Sequence, residues 1–141
     1  MKRLSVIIVL VLFGFVFTQT QSAFAQEKPV VTAKANKKSY KPGTSGSITI
    51  KFKTAEKVKI PADQIEVSIS GNNVTGEGLT NVSGGEYLDP QTVSYKFNIS
   101  SNAETGKSIP VKVTIKYGYC NYDTGICKRT EVTKTVSLKI K

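Results

Sequence analysis

The chain predicts an all-β fold, an immunoglobulin-like antiparallel β-sandwich of about seven strands. Alternation of apolar and polar residues with period two runs through everything after the first 25 positions. Turn-forming residues punctuate the alternating runs at short intervals, and no segment sustains a helical period. Short half-buried strands joined by polar turns are the pattern of such a sandwich.

The amino terminus stands apart from that pattern. Lys2 and Arg3 give a positive start, positions 4–17 are almost continuously apolar, and Ala23-Phe24-Ala25 has the small-x-small form of an export cleavage site. The apolar run is shorter than the ~20 residues a comfortable membrane span needs, and no cysteine follows it to accept lipid. Residues 1–25 are therefore read as a cleaved signal peptide, and residues 26–141 as one domain with no stable membrane span after cleavage. Retention of the signal as a tether is the alternative. A domain of this size can bury its own core. The expected location is periplasmic or secreted, an oxidising setting in which an even cysteine count fits a disulfide.

The strands follow in order. Positions 30–35 form the first. Ile48, Ile50 and Phe52 alternate with Thr49, Lys51 and Lys53 in the second, after the turn Lys41-Pro42-Gly43. Ile65, Val67 and Ile69 make the third, which ends at Gly71-Asn72-Asn73. Positions 74–90 hold Gly76, Gly78, Gly84, Gly85 and Pro90 and read as a long loop with one poor strand. Val93, Tyr95, Phe97 and Ile99 mark the next strand. Val111, Val113, Ile115 and Tyr117 follow, then Val132, Val136, Leu138 and Ile140, with Lys134 the one polar residue at a core-facing position.

The formal charge is +10, or +8 without Lys2 and Arg3. Such a charge favours anionic partners. The lysines, however, sit at outward positions on many segments, with no basic stripe interleaved with exposed aromatics of the kind single-strand binders use. The charge is read as a solvated surface, and no nucleic-acid partner is expected. Asn73, Asn81 and Asn98 begin Asn-x-Ser/Thr triplets and are read as turn and strand composition.

Chemistry concentrates at the two cysteines, Cys120 and Cys127, which bracket Asn121-Tyr122-Asp123-Thr124-Gly125-Ile126. Pairing them directly sets Ile115 opposite Val132, Val111 opposite Val136 and Tyr119 opposite Lys128. The apolar faces then match, and a slip of one residue would break the match. On the reverse face the same register places Lys116 opposite Glu131 and Thr114 opposite Thr133, both favourable pairs. Cys120 and Cys127 share the parity of that reverse face, so without a bulge at Gly118 both sulfurs point away from the core, where a thiolate can reach them. A bond there closes an eight-residue loop, worth about 2.5 kcal/mol in the chain-entropy model. Lys128 and Arg129 beside Cys127 favour its thiolate. On these grounds the pair is either a staple or an exchanging disulfide.

The stretch from Val113 to Cys120 (VTIKYGYC), with Gly125-Ile126-Cys127, resembles the N-terminal periplasmic domain of the thiol:disulfide interchange protein DsbD family. The resemblance is specific over about thirty residues. It implies an immunoglobulin-like domain that relays reducing equivalents to thioredoxin-like or other exported thiol proteins. It also implies that Cys127 is the sulfur that meets the partner and that Cys120 resolves. The chain departs from the family in its longer inter-cysteine loop. It departs again in Lys128-Arg129-Thr130, which replaces the aromatic-proline segment usual after the second cysteine. The family's protective cap loop has no recognisable counterpart, and electrons are expected to come from separate proteins.

Residue types that are missing narrow the rest. The chain contains no histidine, which removes Ser-His-Asp and Cys-His catalysis and histidine metal sites. No cofactor and no metal is expected. Gly76-Glu77-Gly78 lacks the strand-turn-helix context of a phosphate loop. Asp63, Glu86 and Asp89 could be drawn as a calcium cluster, although scattered loop acids are ordinarily solvated. Tyr117 and Tyr119 have core parity, whereas Tyr122 in the turn is free to touch a partner. The alternative function is a non-catalytic binding or surface-assembly module with a structural hairpin disulfide. Recognition of an anionic polymer is a third reading, one that predicts steep salt dependence.

Overall fold

Alternation along each run places one row of side chains on an inner face, and two such sheets pack those rows together. The computed structural model describes residues 27–141 apart from 83; the predicted signal peptide lies outside the described residues. Eight strands form: β1 (Val30–Ala35), β2 (Ser45–Lys53), β3 (Val58–Lys59), β4 (Ile65–Ser70), β5 (Val74–Thr80), β6 (Thr92–Ile99), β7 (Ser108–Asn121) and β8 (Ile126–Lys139). A 3-10 turn, Ala62–Gln64, precedes β4.

One sheet has the order β1-β2-β6-β5. In the other, β7 is central. It pairs with β8 along its whole length on one side, and on the other with β4 along its middle and β3 at its carboxy-terminal end. Every strand pairing is antiparallel. The protein is an immunoglobulin-like β-sandwich. Among the described residues no helix is long and apolar enough to cross a membrane.

The core is the meeting of the predicted inward rows. Ile48, Ile50, Val93 and Phe97 from the first sheet and Val111, Val113, Ile115 and Leu138 from the second are fully buried. Phe52 and Tyr117 bridge the sheets edge to face, with ring centroids 5.1 Å apart, a geometry aromatic rings favour. Near the other end Tyr40 meets Phe97 in the same way at 5.4 Å. Both rings lie over Gly46, where an added Cβ would come within 2.4 Å of Tyr40 and 2.7 Å of Phe97. Lys134, the residue out of pattern, is half-buried on the edge strand β8, where a lysine stem can lie along apolar surface while its ammonium stays in water.

Positions 74–90 differ in detail from the sequence reading. β5 is a real edge strand, with its register shifted between Gly76 and Gly78. The shift explains why alternation is hard to see there. Gly76 is required by close approach, since a Cβ would meet the Tyr95 hydroxyl at 2.4 Å. β3 is the strand the sequence did not disclose.

Two core-lining tyrosines carry a pH dependence. Tyr117 donates its hydroxyl to the Pro29 carbonyl at 3.1 Å, and Tyr40 donates to Asn36 Oδ1 at 2.8 Å. Burial is the main cause raising both phenols above their ordinary value. A raised folded-state value favours the neutral phenol in the fold. The contribution is therefore full below the unfolded tyrosine value of about 10 and is lost as pH rises through the folded values. The denaturation midpoint should hold to about pH 9 and fall above pH 10, and the fall should shrink in Tyr40→Phe and Tyr117→Phe. A midpoint flat to pH 11, or a fall unchanged in both variants, would contradict this.

Candidate functional site at the hairpin mouth

The β7–β8 turn is built by its own residues. Asn121 Oδ1 accepts hydrogen bonds from the amides of Asp123 (3.0 Å) and Thr124 (3.2 Å), an Asx turn that reverses the chain. The Gly125 amide donates to the Asn121 carbonyl at 2.8 Å. Gly125 holds φ at 69°, a left-handed value glycine adopts without a Cβ penalty.

The strands leaving this turn have the register expected from the sequence. Cys120 pairs with Cys127, Ile115 with Val132, Val111 with Val136, Tyr119 with Lys128, Lys116 with Glu131 and Thr114 with Thr133. No bulge interrupts β7 at Gly118. Cys120 and Cys127 are joined by a disulfide with an S–S distance of 2.01 Å and Cα atoms 4.0 Å apart. On the reverse face the Lys116 ammonium and the Glu131 carboxylate form an ion pair at 3.8 Å. Both partners are more than half exposed, so the pair contributes little to stability.

The two sulfur-bearing residues are not equivalent. Cys127, on the outer strand, is exposed, whereas Cys120 is only 9% exposed. The expectation that both would be reachable therefore holds for Cys127 alone. The physical reason is β3. It adds to the far side of β7 with Lys59 directly opposite Cys120, so Cys120 is flanked on both sides of its row while Cys127 is flanked on one.

The turn is also docked onto the segment leading into β3. The Tyr122 amide donates to the Lys57 carbonyl at 3.1 Å, and the Tyr122 hydroxyl donates to the Glu56 carbonyl at 3.4 Å. Lys57 and Asp123 form an ion pair at the surface. The hydrogen bond that the Lys57 ammonium donates to Asp123, and then the charge of that carboxylate, raise the ammonium above its ordinary value. The Lys59 ammonium lies between two rings, 5.1 Å from the centroid of Tyr87 and 5.2 Å from that of Tyr122, within cation–π range. The Glu86 carboxylate, hydrogen-bonded to the Tyr87 hydroxyl, raises that phenol.

Beyond the disulfide on the same face, a cleft of about 290 Å³ is lined by Gln64, Glu66, Lys116, Arg129 and Glu131 among others. The Gln64 side chain lies over Gly118, where an added Cβ would meet Oε1 at 2.0 Å.

Other residues singled out from the sequence fall elsewhere. Tyr117 and Tyr119 are core residues, and Tyr122 is half-exposed at the turn. Asp63, Glu86 and Asp89 join no group of three metal-ligating side chains among the described residues. Lys59 and Tyr87 were missed. The only signal for Lys59 was the brief alternation Lys57-Val58-Lys59-Ile60, too short to be read as a strand.

No protein-family model matches the chain, and no curated protein matches it. Among solved structures the chain is similar to the sixth cohesin of scaffoldin B from Acetivibrio cellulolyticus, solved in complex with a mutant Cel5 dockerin. The identity is 15% and the TM-score 0.42, over 79% of this chain and 99% of that one.

Proposed function

We propose that this is an exported thiol–disulfide exchange domain whose Cys120–Cys127 bond accepts electrons from the thiol of a partner protein. The observation that carries the reading is the asymmetry of the pair, one exposed cysteine bonded to one sheltered cysteine across a turn. The partner thiolate attacks Cys127 Sγ, the Cys120–Cys127 bond breaks, and its electron pair leaves on Cys120 Sγ, which takes a proton from water. A second thiol of the partner then attacks the partner's own sulfur in the mixed disulfide. Cys127 leaves reduced, and two electrons have passed from the partner to this domain. Running the steps backward passes them to an oxidised partner. The resemblance to the DsbD domain supports the same roles, with Cys127 meeting the partner and Cys120 resolving. It also supports a thioredoxin-like or other exported thiol protein as that partner, in the periplasm or outside the cell.

A second reading is favoured by the shelter of Cys120. In it the bond is a staple that holds the hairpin of a non-catalytic binding or surface-assembly module. Reduction potential separates the two. Structural bonds of exported proteins typically lie below about −300 mV, and exchanging ones lie higher. Equilibration against graded glutathione and dithiothreitol buffers, read by alkylation and mass, should place Cys120–Cys127 above that bound. A value well below it would assign the staple.

A further inference from the structure

We propose that Lys59 stabilises the Cys120 thiolate released when the disulfide opens, and is thus a positioning residue for the exchange reaction assigned above, on which this inference rests. Lys59 and Cys120 are register partners on adjacent strands. Opposed residues of an antiparallel pair project from one face with Cβ atoms about 4.5–5.5 Å apart. The ammonium of Lys59 lies over two rings from different segments. Tyr122 comes from the hairpin turn two residues after Cys120, and Tyr87 from the loop before β6. The rings hold the ammonium at the surface without neutralising it, because a ring face attracts a cation and supplies no counter-charge.

The other charged groups around Cys120 are committed or more distant. Lys57 and Asp123 pair with each other at the turn, Glu86 engages the Tyr87 hydroxyl, and Lys128 is opposite Tyr119, with the parity of the core-facing row and not that of the disulfide. Arg129 shares the face of the disulfide but is paired with Gly118, on the side away from Lys59. When a thiolate attacks Cys127, the leaving group is the Cys120 sulfur. A leaving thiol of lower pKa departs faster, and a nearby fixed cation lowers it.

The test titrates the Cys120 thiolate by its ultraviolet absorbance in the Cys127→Ser protein, where no disulfide or partner is involved. Cys120 should titrate below the ordinary thiol value of about 8.5. Adding Lys59→Met should raise it by about one unit, and Lys59→Arg should restore most of the shift. Arg129→Gln should move it less than Lys59→Met does. In the intact oxidised protein, Lys59→Met should slow reduction by glutathione, with Lys59→Arg again restoring it. Titration of Cys120 unchanged by Lys59→Met, or moved equally by Arg129→Gln, overturns the inference. A reduction potential in the structural range with the Lys59 effect intact would instead defeat the exchange reading and leave the thiolate contact standing.

Discussion

Replacing Cys127 by serine should abolish capture of a partner thiol protein, whereas replacing Cys120 by serine should accumulate the captured species. In the Cys120→Ser protein the exposed Cys127 remains available to form a mixed disulfide, and this chain keeps no second thiol to resolve it. In Cys127→Ser the remaining sulfur belongs to a residue that is 9% exposed, flanked by β3 on one side and β8 on the other. The expected contrast is near-complete capture against none, read by mass after mixing each variant with a thioredoxin that lacks its second cysteine and whose remaining cysteine is activated as a mixed disulfide with a small aromatic thiol, which is the leaving group. Both variants should stay folded. The lost bond closes only eight residues and is worth about 2.5 kcal/mol, less than the ~5–15 kcal/mol by which domains are ordinarily stable. Equal capture by the two variants would mean that burial does not direct the chemistry.

The second large effect lies in the core, where Phe97→Ala should come close to unfolding the domain. Phe97 is fully buried, packs edge to face on Tyr40 at 5.4 Å and covers Gly46. Loss of a buried phenylalanine costs about 3–5 kcal/mol, a large part of the total stability. Gly46→Ala acts in the opposite sense, forcing a methyl into space the two rings fill, at about 1–3 kcal/mol. The sites share a cavity, so their effects should not add. In the Phe97→Ala background the Gly46→Ala substitution should cost clearly less than alone. Chemical denaturation of the four proteins in the cycle measures this. Additive losses, or a Phe97→Ala midpoint equal to wild type, would contradict the packing described.

Which features could be read from residue order follows from the range of the forces involved. The β7–β8 hairpin was legible because two long strands alternate in step and two cysteines fix their offset, so every cross-strand pair followed from one choice. The parity of the strand also sets the face on which the cysteines lie. It could not give their exposure. Burial of Cys120 depends on β3, a two-residue strand placed by its neighbours rather than by any pattern of its own. Lys59 was invisible for the same reason, since its proximity to Cys120 spans some sixty positions of chain. β5 was half legible. Its glycines read as loop-formers, but Gly76 is there to let the Tyr95 ring lie across the strand.

Under the proposed function, the exposed Cys127 end of the disulfide serves as a landing point for a protein thiol. The most direct measurement compares the rate at which reduced thioredoxin opens the wild-type bond with that of dithiothreitol, per thiolate. Recognition predicts that the protein thiol is faster by roughly ten-fold or more, a barrier difference of about 1.4 kcal/mol. Equal rates, or a protein thiol slower than the small molecule, would contradict the account and leave the bond as a fastening of the hairpin.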